Sequence, residues 1–270
     1  MSKVSKAFTV VIYAFLYLPI LLLITLSFNN STDTVTFKGF TLHWYEQLFR
    51  PGNDLLVFLG NTVIVAVLAA ILATVLGTLA AVGIHAMKPK MRNLIMSVTG
   101  IPMSNPDIVT GVSMALLFVF LGSILKISNV FGFVTLLIAH ITFNLPYVIL
   151  SVMPKLRQMD PHLTEAALDL GCTPAKAFFK ITLPDIMPGV ISGLIMAFTL
   201  SLDDFVISYF VTGSFITLPV EIYNYTKKPM PPTVYALFAI MFVAMLLLMI
   251  VVNVLQLRDE KNKNLTGDVT

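Results

Sequence analysis

Six long apolar stretches, 8–28, 62–87, 94–121, 130–153, 188–211 and 235–256, limit this chain more than any other feature. Each reaches the roughly 20 residues that a helix needs to cross a hydrocarbon layer about 30 Å thick. In lipid the backbone must satisfy its own N–H and C=O groups, so such stretches are expected to be helices. The charge content agrees: only 11% of the 270 residues are charged, against roughly 25% in soluble domains. So few charges cannot clothe a soluble core of this size. A cytosolic enzyme, a disordered chain and a nucleic-acid binder are thereby excluded. Lys3 and Lys6 resemble the start of a signal peptide, but the run behind them is too long for one and no small-x-small cleavage site follows Phe28. The first stretch is therefore read as a retained helix.

Six spans put both termini on one side. Twelve of the 17 Lys and Arg fall on that side, including Lys3, Lys6, Lys88, Lys155 and Lys176; Lys38, Arg50, Lys126, Lys227 and Lys228 fall on the other. The basic excess predicts cytoplasmic termini, so the net charge of +3 reflects topology and not an anionic partner. Trp44 and Tyr45, in the first outer loop, read as an interfacial aromatic anchor. Ala69, Ala73, Gly77 and Ala81 recur every four residues in the second stretch, and Gly189 and Gly193 form a GxxxG in the fifth. Small residues at this spacing let helix backbones approach closely in lipid. Cys172 is the one cysteine, which leaves no internal disulfide and no cysteine-based metal cluster.

The inner loop 154–187 is polar and punctuated. Asp160 before Pro161 is an N-cap followed by proline at N1, and Gly171 is placed to end the helix so begun. Thr173 and Pro174 repeat the signal and predict a second short helix that stops before Pro184. Leu163, Ala166, Ala167 and Leu170 give the loop an apolar stripe too short to span a membrane and suited to a groove on another protein.

Glu165-Ala166-Ala167, Gly171, Ile181, Leu183 and Pro184 reproduce the pattern EAA-x3-G-x9-I-x-L-P. The chain thereby resembles the permeases of ABC importers. The resemblance implies an all-α, six-span transmembrane bundle of the type I importer kind, a single permease domain over 1–270. It also implies a coupling helix between spans four and five that carries the motion of an ATPase subunit. Asp160, Glu165, Ala166, Ala167, Gly171, Ile181, Leu183 and Pro184 would form the coupling segment. No Gly-Lys dipeptide occurs, so a Walker A loop is absent; ATP and its Mg would be bound by the partner, and this chain would need no cofactor and catalyse nothing.

The resemblance covers nearly the whole chain. Tyr13-Ala14-Phe15-Leu16-Tyr17-Leu18-Pro19, Ser104-Asn105-Pro106-Asp107, His140-Ile141-Thr142-Phe143-Asn144-Leu145-Pro146 and Ser201-Leu202-Asp203-Asp204-Phe205 are similar to the spermidine/putrescine importer permeases, above all to the second, C-type subunit. This implies as partners an ABC ATPase dimer, a homologous second permease and an extracytoplasmic polyamine-binding protein, in a bacterial cytoplasmic (inner) membrane. The residues point the same way. Asp107, Asp203 and Asp204 lie inside apolar stretches that hold no central Lys or Arg, and a carboxylate there costs about 2.5–3.5 kcal/mol on insertion scales. Unpaired acids suit a route for a multiply charged organic cation.

On a continuous fifth helix Asp204 would share a face with Ser201 and Ser208, so Asp204 is expected toward the route and Asp203 toward a neighbouring helix. Tyr209, Phe205 and Tyr147 are candidates for cation–π contact. Asp107 would lie beside a kink at Pro106 or cap the resumed helix, and His140 and Asn144 read as interhelical hydrogen-bonding groups. The rival expectations are an ABC permease for a metal, thiamine or another amine, and a cation carrier independent of ATP.

Overall fold

The computed structural model describes residues 3–33, 36–247 and 250, and every regular element among them is helical. In chain order these are α1 (Lys3–Ser27), α2 (His43–Leu48), α3 (Leu55–His85), α4 (Pro89–Ser104), α5 (Asp107–Leu125) and α6 (Phe133–Gln158). Then come α7 (Pro161–Asp169), α8 (Pro174–Ala177), a π-helical turn (Phe178–Thr182), α9 (Leu183–Asp203), α10 (Val206–Val211), α11 (Leu218–Tyr225) and α12 (Pro232–Leu247). One isolated bridge pairs Asn29 with Phe40. Five helical stretches among the described residues are long and apolar enough to cross a membrane: Phe8–Ser27, Leu55–His85, Asp107–Leu125, Phe133–Gln158 and Pro174–Asp203. The sixth expected span, 235–256, coincides with α12 up to its end at Leu247 and otherwise lies outside the described residues, Ile250 apart.

The chain divides into two compact units, Met1–Leu56 with Lys228–Thr270, and Val57–Lys227. In the first, the chain leaving α1 folds into a closed loop. Asn29 is its hub: its side-chain amide donates to Thr36 O at 2.8 Å, its Oδ1 accepts from Lys38 N at 2.9 Å, and its carbonyl accepts from Trp44 Nε1 at 2.7 Å. Tyr45 Oη and Ser27 Oγ lie 2.7 Å apart. The polar atoms of the Trp44-Tyr45 pair thus close this loop.

The second unit is organised around α6. Ala70, Ala73 and Ala81 of α3, Val148, Val152 and Met153 of α6, and Ile186 and Ala197 of α9 form one buried cluster. The four-residue repeat on α3 is the packed face: Ala69, Ala73 and Ala81 are fully buried, and a Cβ on Gly77 would stand 2.7 Å from Val148 Cγ1. Gly189 and Gly193 of α9 lie against Ser151, Val152 and Val148 of α6, which is the close approach that GxxxG spacing allows. A second cluster joins Val65, Phe118, Leu136, Ala139, Ile207 and Val211.

Two expected spans are divided. The third breaks at Asn105-Pro106 into α4 and α5, because proline restricts the residue before it and supplies no N–H. The fifth, expected over 188–211, ends at Asp203 and resumes at Val206. Its beginning also differs from expectation: the short helix after Thr173 does not stop before Pro184 but runs on through the π-helical turn, giving one helical rod over Pro174–Asp203. Pro184 explains the turn. Its ring crowds the carbonyl four residues back and it donates no hydrogen bond, and the wider loop just upstream absorbs both defects without ending the helix.

Candidate functional site

The first helix of the loop after α6 is capped and ended where its sequence predicts. Asp160 Oδ1 accepts from His162 N at 3.0 Å, Pro161 stands at N1, and α7 follows. Gly171 ends it at φ +82°, with its N–H on Leu168 O at 2.9 Å and the Cys172 N–H on Ala167 O at 3.0 Å. These are the two paired bonds of a glycine-terminated helix. Thr173 Oγ1 then accepts from Lys176 N at 3.3 Å to start α8.

The apolar stripe is only partly outward. Leu163, Ala166 and Leu170 are exposed, Leu170 at 86%, whereas Ala167 is buried. Glu165 is exposed and its Oε2 lies 3.4 Å from His162 Nδ1 on the preceding turn. Ile181 in the π-helical turn is half-buried, Leu183 packs against the core of α6, and Pro184 is exposed in the first turn of α9.

The acids fall into two kinds. Asp107 is exposed in the first turn of α5, where no side-chain cap forms. Asp203 is exposed as the last residue of α9. Asp204 is turned inward, 8% exposed, and its carboxylate accepts from Ser208 N and Ser208 Oγ, both at 2.8 Å, and from Ile207 N at 3.3 Å. His140 Nε2 of α6 lies 3.4 Å from Asp204 Oδ2 and 3.0 Å from Ser208 Oγ. One turn along α6, Asn144 Nδ2 donates to Ser201 Oγ at 2.7 Å.

It is Asp204, and not Asp203 as expected, that meets a neighbouring helix: Asp204, Ser201 and Ser208 are turned into the protein, and Asp203 is exposed. The expectation carried a helical period across a position where the helix has ended. His140 and Asn144 do bond between helices, as expected, each to a serine and not to one another.

Past the break the aromatic rings of Phe205, Tyr209 and Tyr223 gather. Phe205 and Tyr223 lie 4.4 Å apart between centroids, and Tyr209 stands 5.6 Å from Phe205 and 5.5 Å from Tyr223. Tyr209 is 41% exposed. Lys227 Nζ lies 4.9 Å from the centre of the Tyr223 ring. Tyr147, further off in α6, packs edge-on to Phe143 at 5.5 Å. Tyr223 was missed because it lies outside the apolar stretches, and Lys227 was read only as an outer-side base; the Tyr223-Asn224-Tyr225 run was the available signal. Among the described residues no group of three His, Cys, Asp or Glu is placed to hold a metal ion.

Known proteins share this architecture and sequence. The chain is 40% identical over 263 residues to the spermidine/putrescine transport system permease protein PotC of Escherichia coli strain K12, covering 97% of this chain and 96% of that protein. Identity to PotC of Haemophilus influenzae is 40% over 247 residues, 91% and 93% of the two chains. The putrescine transport system permease protein PotI of Escherichia coli strain K12 is 37% identical over 253 residues, 93% and 90% of the two chains. A solved bacterial ABC transporter involved in the import of the acidic polysaccharide alginate has the same fold, with a TM-score of 0.67 at 12% identity over 95% of this chain and 98% of that one. Residues 73–261 match the family described as binding-protein-dependent transport system inner membrane component. With that match, the near full-length relatives and the broken-span helical fold, the chain belongs to this family and is a permease of the ABC importer kind.

Proposed function

We propose that this chain is one permease subunit of an ATP-driven importer for polyamines, substrates of the spermidine and putrescine class. The observation that carries the reading is its similarity to a spermidine/putrescine permease over 97% of its length. In this reading 1–270 is a single permease domain of six spans in a bacterial inner membrane, α12 beginning the sixth, with both termini cytoplasmic. A homologous second permease completes the route, an extracytoplasmic polyamine-binding protein delivers the solute, and an ATPase dimer binds ATP and Mg.

The segment from Asp160 through Glu165, Ala166, Ala167 and Gly171 to Ile181, Leu183 and Pro184 couples the ATPase to the spans. Its exposed Leu163, Ala166 and Leu170 supply the docking face, and the cap at Asp160 with the stop at Gly171 makes it stiff enough to transmit a push. Asp107, Asp203 and Tyr209 stand on the route. Both acids are exposed and neither has a basic partner among the described residues, which suits a polycationic solute; Ser201, Asp204 and Ser208 are turned into the protein.

Uptake of labelled spermidine into proteoliposomes holding the complete transporter tests this. Uptake is expected only with receptor outside and ATP on the ATPase side. Accumulation without ATP, or none under any condition while another solute is taken up, overturns the reading.

A further inference from the structure

Two adjacent carboxylates at the break in span five have opposite surroundings. Asp203 ends α9, where the last helical carbonyls already make the local potential negative. Among the described residues no cation pairs with its carboxylate. Asp204, one residue on, receives Ile207 N, Ser208 N and Ser208 Oγ, with His140 Nε2 3.4 Å from its Oδ2. A carboxylate has about four acceptor sites, and these donors already take three of them. Burial closes it off as well: His140 is 2% exposed and Ser208 is fully buried.

The proton positions follow from the network. Ser208 Oγ–H donates to Asp204 Oδ2, so the serine oxygen accepts from His140 Nε2–H. His140 Nδ1 is buried with no hydrogen-bond partner among the described residues. The chain His140, Ser208, Asp204 ties α6 to the first turn of α10, and Asn144 with Ser201 ties α6 to the last turn of α9. The two ties flank the break on both sides.

We propose that this buried cluster is a clasp that holds the break open and aims Asp203, so that His140, Asp204 and Ser208 are positioning residues and Asp203 alone of the acid pair meets the solute. The proposal rests on the polyamine-route reading and adds a division of labour within it. Without the clasp, nothing in the local sequence stops the helix at Asp203: the residues from Leu200 to Ile207 contain neither Gly nor Pro. With Asp204 held inward by the cluster, Asp203, about 100° from it around a helix axis, is left facing outward.

The test is a double-mutant cycle on uptake of labelled spermidine by the complete reconstituted transporter, with rates normalised to inserted protein. Asp203→Asn is expected to raise KM about tenfold, the effect of losing roughly 1.4 kcal/mol of binding. Ser208→Ala, which keeps the backbone bonds to Asp204, and Asp204→Asn are each expected to raise KM severalfold with Vmax retained. Combined with Asp203→Asn, neither should raise KM further, because the clasp acts through Asp203.

Multiplying effects in the double variants would make Asp204 an independent solute contact and overturn the clasp while leaving the route reading intact. A loss of Vmax at unchanged KM would reduce the cluster to a scaffold and also overturn it. Wild-type KM in Asp203→Asn would overturn the route reading and the clasp together. If Asp204→Asn is lost from the membrane, the Ser208→Ala arm decides the question alone.

Discussion

Gly189 and Gly193 offer a graded test of how α9 lies on α6, because the same methyl group added one turn apart meets different surroundings. A Cβ on Gly189 would stand 2.9 Å from the Ser151 carbonyl oxygen, 2.9 Å from Lys155 Cγ and 3.3 Å from Val152 Cα. Two of those atoms are backbone and cannot turn aside. On Gly193 the nearest atoms are Val148 Cγ1 at 3.3 Å, Val148 Cα at 3.4 Å and Ser151 Cβ at 3.5 Å, close to ordinary contact.

Overpacking a tight interface costs about 1–3 kcal/mol, and alanine is favoured over glycine within a helix by about 1 kcal/mol. Gly189→Ala should therefore lose about 0–2 kcal/mol net. Gly193→Ala should be neutral or gain up to about 1 kcal/mol, leaving about 1–2 kcal/mol between the two variants. Thermal unfolding of the purified transporter in detergent reads this out, with about 2–4 °C expected per kcal/mol for a domain of this size. Equal Tm values, or a lower Tm for Gly193→Ala than for Gly189→Ala, would refute the α6–α9 contact as described.

Three further outcomes follow from other positions. Gly171→Leu should uncouple ATP hydrolysis from uptake while the protein still inserts, and Gly171→Asn should be milder; a Cβ there meets nothing within 4 Å, so the effect comes from the φ of +82° alone, which Asn tolerates better. ATPase and uptake rates measured side by side decide it. Glu165→Ala, which removes an exposed acid from the proposed docking face, should lower the ratio of solute moved to ATP hydrolysed without changing the Tm of the isolated subunit. Thr62→Val should destabilise the subunit by about 1–3 kcal/mol, because Thr62 Oγ1 accepts from the buried Leu218 N–H at 2.8 Å; an unchanged Tm would count against that bond.

What the sequence disclosed and what it hid divide along physical lines. Local chemistry was legible: the Asp160 cap, the Gly171 stop and the Pro106 break each depend on a few consecutive residues and stand where their residue types predict. The apolar runs located five spanning helices, although α3 starts at Leu55 and not near 62. Gly60 and Asn61 interrupted the apolar pattern there, while in the fold Asn61 Nδ2 donates to Ile216 O at 2.9 Å and the helix continues through it. The break after Asp203 is partly local, since Asp204 accepts from Ile207 N and Ser208 N, but the contact with His140, 64 positions earlier in the chain, was not legible. The π-helical turn was hidden for another reason: Pro184 could equally have ended a helix, and only the continuity of the core beneath it decides otherwise.

That continuity has a mechanical meaning. The helical stretch Pro174–Asp203 is 30 residues long, about 45 Å at the rise of an α-helix, and it lies close against α6 at Gly189 and Gly193. A stiff beam gripped there is a see-saw with arms of about 26 Å toward Pro174 and about 18 Å toward Asp203. In the proposed transport cycle a shift of about 5 Å at the Pro174 end would return about 3–4 Å of opposite travel at Asp203, enough to move its carboxylate from hydrogen-bond contact with an ammonium to beyond its reach.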